Sequence, residues 1–123
     1  MKIQDDLTKY ISSALNNALP EKTKIKTRFH LLDAIVSILT GRLLPPGQKG
    51  FNFSKNQGGL EEATLLGNNI KVSAINAAFS NGMAAHANET DDSHTKGRFH
   101  PGCAIIPTTL ATVSYTHLRA HET

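Results

Sequence analysis

The chain has a single cysteine, no tryptophan and no long apolar run. One cysteine excludes an internal disulfide framework, and by itself it holds neither an iron–sulfur cluster nor a structural zinc. No stretch approaches the roughly 20 apolar residues that cross a bilayer, so no membrane association is expected. The N-terminus, MKIQDDLTKY, lacks the apolar core of a secretory signal, and the expected location is the cytoplasm. No long block of one charge sign occurs. The net charge of +3 is small and scattered, which argues against a nucleic-acid partner. The densest basic group, Lys22, Lys24, Lys26 and Arg28, is expected to be a solvated helix start. Repeats and low-complexity tracts are absent. What remains, 39% apolar and 19% charged residues in 123 positions, describes one globular domain with a modest core rather than a disordered chain.

The apolar spacing predicts helices. Ile3, Leu7, Tyr10, Ile11, Ala14, Leu15, Ala18 and Leu19 recur at three- and four-residue steps, the period of a helix with one buried stripe, and Pro20 ends it. A second helix spans about Thr23 to Thr40. Phe29, Leu31, Leu32, Ile35, Val36, Ile38 and Leu39 make it apolar on more than one face, so burial on several sides is expected. Gly41 is its expected left-handed cap, and His30 and Asp33 are spaced to pair. Leu44–Gly59, with Pro45–Pro46–Gly47 and Gly58–Gly59, is expected to be a surface loop onto which Phe51 and Phe53 fold back. Ala63–Val72 predicts a short extended pair turning at Gly67–Asn68–Asn69. Ser73 is the expected N-cap of a helix to about Ala85. Within it, Asn81–Gly82 costs about 1 kcal/mol relative to alanine, which suggests a close backbone approach, a bend or a plain break. A last buried helix is expected from about Pro107.

Between these last two helices lies the most polar part of the chain, Asn81–Pro107. It holds His86, His94 and His100, together with Glu89, Asp91, Asp92, Ser93, Lys96, Arg98 and Cys103. Imidazoles and carboxylates this close in sequence can exchange protons near neutral pH once a fold tunes them. The same side chains could serve as metal ligands, but no HExxH or comparable fixed spacing is present and no metal is expected. Cys103 follows His-Pro-Gly into an apolar segment, where a buried, inert thiol is the ordinary case. Acid–base chemistry suits the residue types better: Ser93 could hold a substrate carboxylate, and Lys96 or Arg98 could neutralise one. A solvated loop would use the same residues for nothing.

The spaced set Asn81–Gly82, Ala85–His86, Asp91–Asp92, His94, His100–Pro101 and Pro107 resembles the N-terminal signature of the MmgE/PrpD family. That family includes 2-methylcitrate dehydratase and cis-aconitate decarboxylase. FHLLDAIVSILTG (Phe29–Gly41) and ATLLG…VSAINAAFSNG resemble its upstream pattern, and the match covers about Ile25 to Thr112. The resemblance implies an all-α fold for this region, the N-terminal part of the family's helical domain, with the short extended pair near 63–72. It implies no cofactor, a small-molecule carboxylate substrate and, at full length, a homodimer. Full members are several times longer, so residues 1–112 are expected to supply the first helices and one wall of the site. In characterised relatives an Asp three residues after the Ala-His pair, a Thr after Asp-Asp and the His of the His-Pro pair line the active site. Here those positions are Glu89, Ser93 and His100. Glu for Asp keeps the carboxylate a methylene farther out, and Ser for Thr keeps the hydroxyl.

The resemblance therefore implies Glu89 and His100 as the catalytic pair and Ser93, Asp92 and His86 as substrate-binding residues. Asp91 and Asp92 are expected to fix the loop by accepting backbone hydrogen bonds, and His86 to pack at the helix end. The expected reaction is a lyase elimination of water from a small di- or tricarboxylate. Decarboxylation, or isomerisation or epimerisation of a related acid, is the alternative, as is an inactive fragment. Val113–Thr123 breaks the apolar period and matches the in-frame translation of a transposase sequencing-adaptor end. An artefactual tail is expected there, and its His117/His121 pair is not expected to bind metal.

Overall fold

A computed structural model describes the backbone of residues 2–14 and 16–120, and side chains as far as 117. Five helices and one hairpin make up the described residues: α1 (Lys2–Ala14), α2 (Glu21–Gly41), α3 (Pro45–Gln57), β1 (Ala63–Leu65), β2 (Ile70–Val72), α4 (Ala74–His86) and α5 (Gly102–Ala120). The fold is mostly α, as expected. Helix α4 is the central element, packed against α2, α3 and α5.

The hairpin and the start of α4 form where the local chemistry predicts. Ala63 pairs with Val72, Thr64 with Lys71 and Leu65 with Ile70 in an antiparallel ladder. Gly67 takes the positive φ of 79° that the turn needs. Ser73 accepts from the Asn76 backbone N–H as the N-cap of α4. Glu62 Oε2 accepts from the Ala74 N–H at 3.0 Å, which satisfies another orphan donor of the first turn. The Ser54 hydroxyl donates to the Asn76 carbonyl at 2.9 Å and ties α3 to the same end. Ala63, Leu65, Val72, Ala77 and Ala111 form one core cluster, and Ile38, Ala84 and Ala85 a second, against which Cys103 packs.

Asn81–Gly82 now has a physical reason. Asn81 is buried on α4, where its Oδ1 accepts from the Leu66 N–H and its Nδ2 donates to the Thr64 carbonyl, both at 3.0 Å. One side chain thus serves two backbone groups at the hairpin's end. Gly82 leaves room for α5: a Cβ there would lie 3.0 Å from the Cys103 carbonyl oxygen. Pro107 sits inside α5 and has no N–H to give that carbonyl four residues back, so the close approach and the proline belong together. Asn81→Ala leaves the part-buried Leu66 N–H and Thr64 carbonyl without their partner. With about 1–2 kcal/mol for each, the lower half of the cost of a buried unsatisfied group, a loss of ~2–4 kcal/mol in urea-unfolding free energy is the expected result.

Several expectations need correction. Leu44–Gly59 is not a loop: Pro45 and Pro46 open α3 at positions where the missing N–H costs nothing, and Gly47 and Gly50 are buried packing contacts rather than breaks. Phe51 does pack on the core, while Phe53 stays half-exposed in an edge contact with Phe79. Helix α1 is described over Lys2–Ala14 and ends before Pro20, with Leu15 of the expected stripe outside the described residues; it buries no residue, and Ile3, Leu7, Tyr10 and Ile11 face outward. On α2 only Ala34, Ser37, Ile38 and Gly41 are buried, so it packs on one face, and Phe29, Leu32 and Val36 are exposed. Gly41 is not a left-handed cap. It is the last helical residue, with Arg42 as a right-handed C-cap, and it is glycine because α4 passes against it. Helix α5 begins at Gly102, five residues before Pro107, and continues past Thr112 to Ala120. His121 lies outside the described residues.

Candidate active site

The polar stretch is a turn-rich connection between α4 and α5, and both helix ends hold it. His86 is the last residue of α4. Asp92 Oδ1 accepts from the N–H of Gly102, the first residue of α5, at 2.7 Å, a carboxylate placed at a helix N-terminus. Its Oδ2 lies 3.4 Å from His30 Nδ1 on α2, so His30 pairs with Asp92 rather than with Asp33. Asn88 Nδ2 donates to Thr40 Oγ1 at 3.1 Å and anchors the turn to α2 a second time. Residues 94–99 close a small loop of their own. The His94 N–H donates to the Phe99 carbonyl at 2.9 Å, and His94 Nδ1 accepts from the Gly97 N–H at 2.9 Å. His94 is thus a turn residue. Arg98 (φ 52°) and Glu89 (φ 53°) take left-handed conformations at the bends.

Asp91 is the centre. Its side chain is only 1% exposed, and its Oδ1 lies 3.3 Å from Nδ1 of both His86 and His100. The two rings approach to 4.9 Å between centroids. His100 Nδ1 is also 3.3 Å from the Asp91 carbonyl oxygen. Both neighbours of that nitrogen are acceptors, so it carries the proton, and the neutral ring has its lone pair on Nε2. The same logic assigns a proton to His86 Nδ1. His86 is about half-exposed and His100 about a third, so Asp91 orients two accessible imidazoles from below. A buried carboxylate is costly unless partnered, and these contacts are its compensation. Asp91 Oδ2 is buried and has no hydrogen-bond partner among the described residues.

Cys103 borders the same cluster. Its thiol donates to the His100 carbonyl at 3.1 Å. Burial first, then the Asp91 carboxylate beside it, push the thiol above its ordinary pKa, so it stays protonated at neutral pH. Beyond it, an open groove of about 420 Å³ between α4 and α5 runs from Phe79 and Met83 to His86.

The chain belongs to the MmgE/PrpD family. Residues 5–122 match the MmgE/PrpD N-terminal domain, nearly the whole sequence. No curated protein and no solved structure matches it. Members of this family are generally enzymes of the dehydratase or lyase kind, and that makes the Asp91–imidazole cluster the natural candidate for chemistry. Of the residues the resemblance singled out, the fold gathers His86 and His100 around Asp91 and holds Asp92 beside them at the α5 terminus. Glu89 and Ser93 are exposed, and among the described residues their side chains make no hydrogen bond or ion pair with the cluster. The expectation for Asp92, a carboxylate accepting a backbone hydrogen bond, is met. Asp91 differs: its carboxylate faces imidazoles, not backbone. Adjacent aspartates look alike in sequence, and only the turn geometry sends one inward and the other to the helix end. No helix among the described residues is long and apolar enough to cross a membrane.

Proposed function

We propose that this chain is the first part of the helical domain of a lyase acting on a small di- or tricarboxylate, by acid–base elimination of water in the manner of 2-methylcitrate dehydratase. The observation that carries the reading is the buried Asp91 carboxylate holding Nδ1 of two accessible imidazoles. Such a carboxylate sets the tautomer and stabilises the imidazolium formed when Nε2 takes a proton. His100 Nε2 removes the proton from the carbon beside a substrate carboxylate. The C–H electron pair becomes the C=C bond, the C–O bond on the neighbouring carbon breaks, and the hydroxide leaves as water after receiving a proton. Glu89, on the exposed turn beyond α4, is the partner for that second proton or for orienting the substrate. Ser93, Asp92 and His86 line the binding side. Further basic residues for the substrate carboxylates are expected outside this chain, as is the second subunit of a homodimer.

Family membership and the cluster are equally compatible with decarboxylation or with isomerisation of a related acid. The complete enzyme decides between them. Incubation with 2-methylcitrate is expected to give one water and a product with ultraviolet absorbance from the new double bond. Release of carbon dioxide instead, or an unchanged molecular formula, would replace dehydration by the decarboxylase or isomerase reading.

A further inference from the structure

The cluster around Asp91 holds three different kinds of metal donor. An imidazole nitrogen of His86, a carboxylate oxygen of Asp91 and Sγ of Cys103 all lie within 4.8 Å of one another. They come from three separate places, the end of α4, the connecting turn and the first turn of α5. That is why no fixed spacing announces them in the sequence. The second observation is independent of this proximity. Asp91 Oδ2 is buried without a hydrogen-bond partner among the described residues, on a residue 5% exposed. A buried carboxylate oxygen with nothing to accept costs free energy, and a cation is one way to satisfy it.

We infer that His86, Asp91 and Cys103 form a binding site for a thiophilic divalent cation of the zinc class. The mixed nitrogen, oxygen and sulfur set favours such a metal over magnesium or calcium, which prefer oxygen alone. Three protein ligands leave a fourth position open to water. Bonds of about 2.0–2.3 Å place tetrahedral donors roughly 3.3–3.8 Å apart. The donors, at most 4.8 Å apart, must therefore draw together by up to about 1.5 Å, a movement to which the half-exposed His86 ring contributes. On binding, the S–H bond of Cys103 is exchanged for a sulfur–metal bond, and its proton goes to solvent. A ring nitrogen of His86 gives its lone pair to the cation, any proton it carries moving to the other nitrogen or to solvent. His100 keeps its contact with Asp91 Oδ1. The proposed elimination does not need the cation. Occupancy would engage the carboxylate that orients His100, so the site would oppose that chemistry rather than assist it.

Cobalt(II) titration of the thiol-reduced chain tests this without reference to turnover. Cys103 is the sole cysteine, so any thiolate-to-cobalt charge-transfer band in the near ultraviolet reports this site alone. The band is expected to saturate at one equivalent, to collapse when Zn2+ is added, and to vanish in Cys103→Ser. His86→Ala, at a half-exposed position that should not disturb folding, is expected to weaken cobalt binding at least ~10-fold, the lower end of what even outer-shell partners cost a metal site. Cobalt bound without the charge-transfer band means imidazoles elsewhere, and overturns the inference. So does a band of unchanged affinity in both His86→Ala and Asp91→Asn, which would leave the thiol binding alone.

Discussion

His100→Ala in the complete enzyme is expected to lower kcat by about 10²–10⁴-fold, the usual worth of a positioned general base, with KM little changed. That corresponds to roughly 3–5 kcal/mol of transition-state stabilisation at 1.36 kcal/mol per tenfold. A loss confined to kcat means that the imidazole acts in the transition state and not in holding substrate. His100 is only partly buried and belongs to neither core cluster, so circular dichroism should be unchanged. Asp91→Asn should lower kcat in the same direction. One of its two side-chain atoms becomes a donor, and the preference for a proton on Nδ1 weakens. His86→Ala should act mainly on KM, since that ring lines the open groove. Wild-type turnover in His100→Ala would remove the proposed mechanism and leave the Asp91 cluster as a structural tie between α4 and α5.

Gly41→Ala is expected to destabilise the chain by about 3 kcal/mol, at the upper end of ordinary overpacking. The sign is what makes the test sharp. At an unobstructed position inside a helix, alanine in place of glycine gains about 1 kcal/mol. Here a Cβ would overlap the Ala84 carbonyl oxygen and press on Ala87. Neither the backbone oxygen nor α4 can yield without disturbing the Ile38, Ala84 and Ala85 cluster. Against a typical total stability of about 5–15 kcal/mol, this is a large share. Urea unfolding followed by helical ellipticity measures it. A stabilised Gly41→Ala variant would mean that α2 and α4 do not meet as described. Because α4 carries His86 and α2 carries His30, the crossing also sets the floor of the candidate site.

Local chemistry was legible wherever a residue acts on its own neighbours. The Gly67 turn, the Ser73 cap and the hairpin around them depend on φ preferences and short-range hydrogen bonds, and each forms as the residues predict. The family was legible too: the spaced residues from Asn81 to Pro107 resemble its signature, and the match to its N-terminal domain over residues 5–122 agrees. The same local reasoning failed at Leu44–Gly59. Prolines and glycines there suggest breaks, yet a proline pair at a helix start and glycines against a neighbouring helix are compatible with α3. Nor could periodicity say which apolar faces find a partner. The stripe on α1 has the right spacing and remains outside.

What the sequence by itself determined is the secondary structure of the hairpin and α4, the family, and the set of polar residues from which a site can be made. Tertiary structure alone decided which of them meet. Asp91 and Asp92 are chemically identical neighbours; the packing of α4 against α5 turns one beneath two imidazoles and the other onto the Gly102 N–H. Cys103 and His86 lie on different helices and share a carboxylate only because Gly82 lets those helices close to contact. Such encounters depend on the distance between packed backbones, a quantity set jointly by residues far apart in the chain and carried by none of them separately.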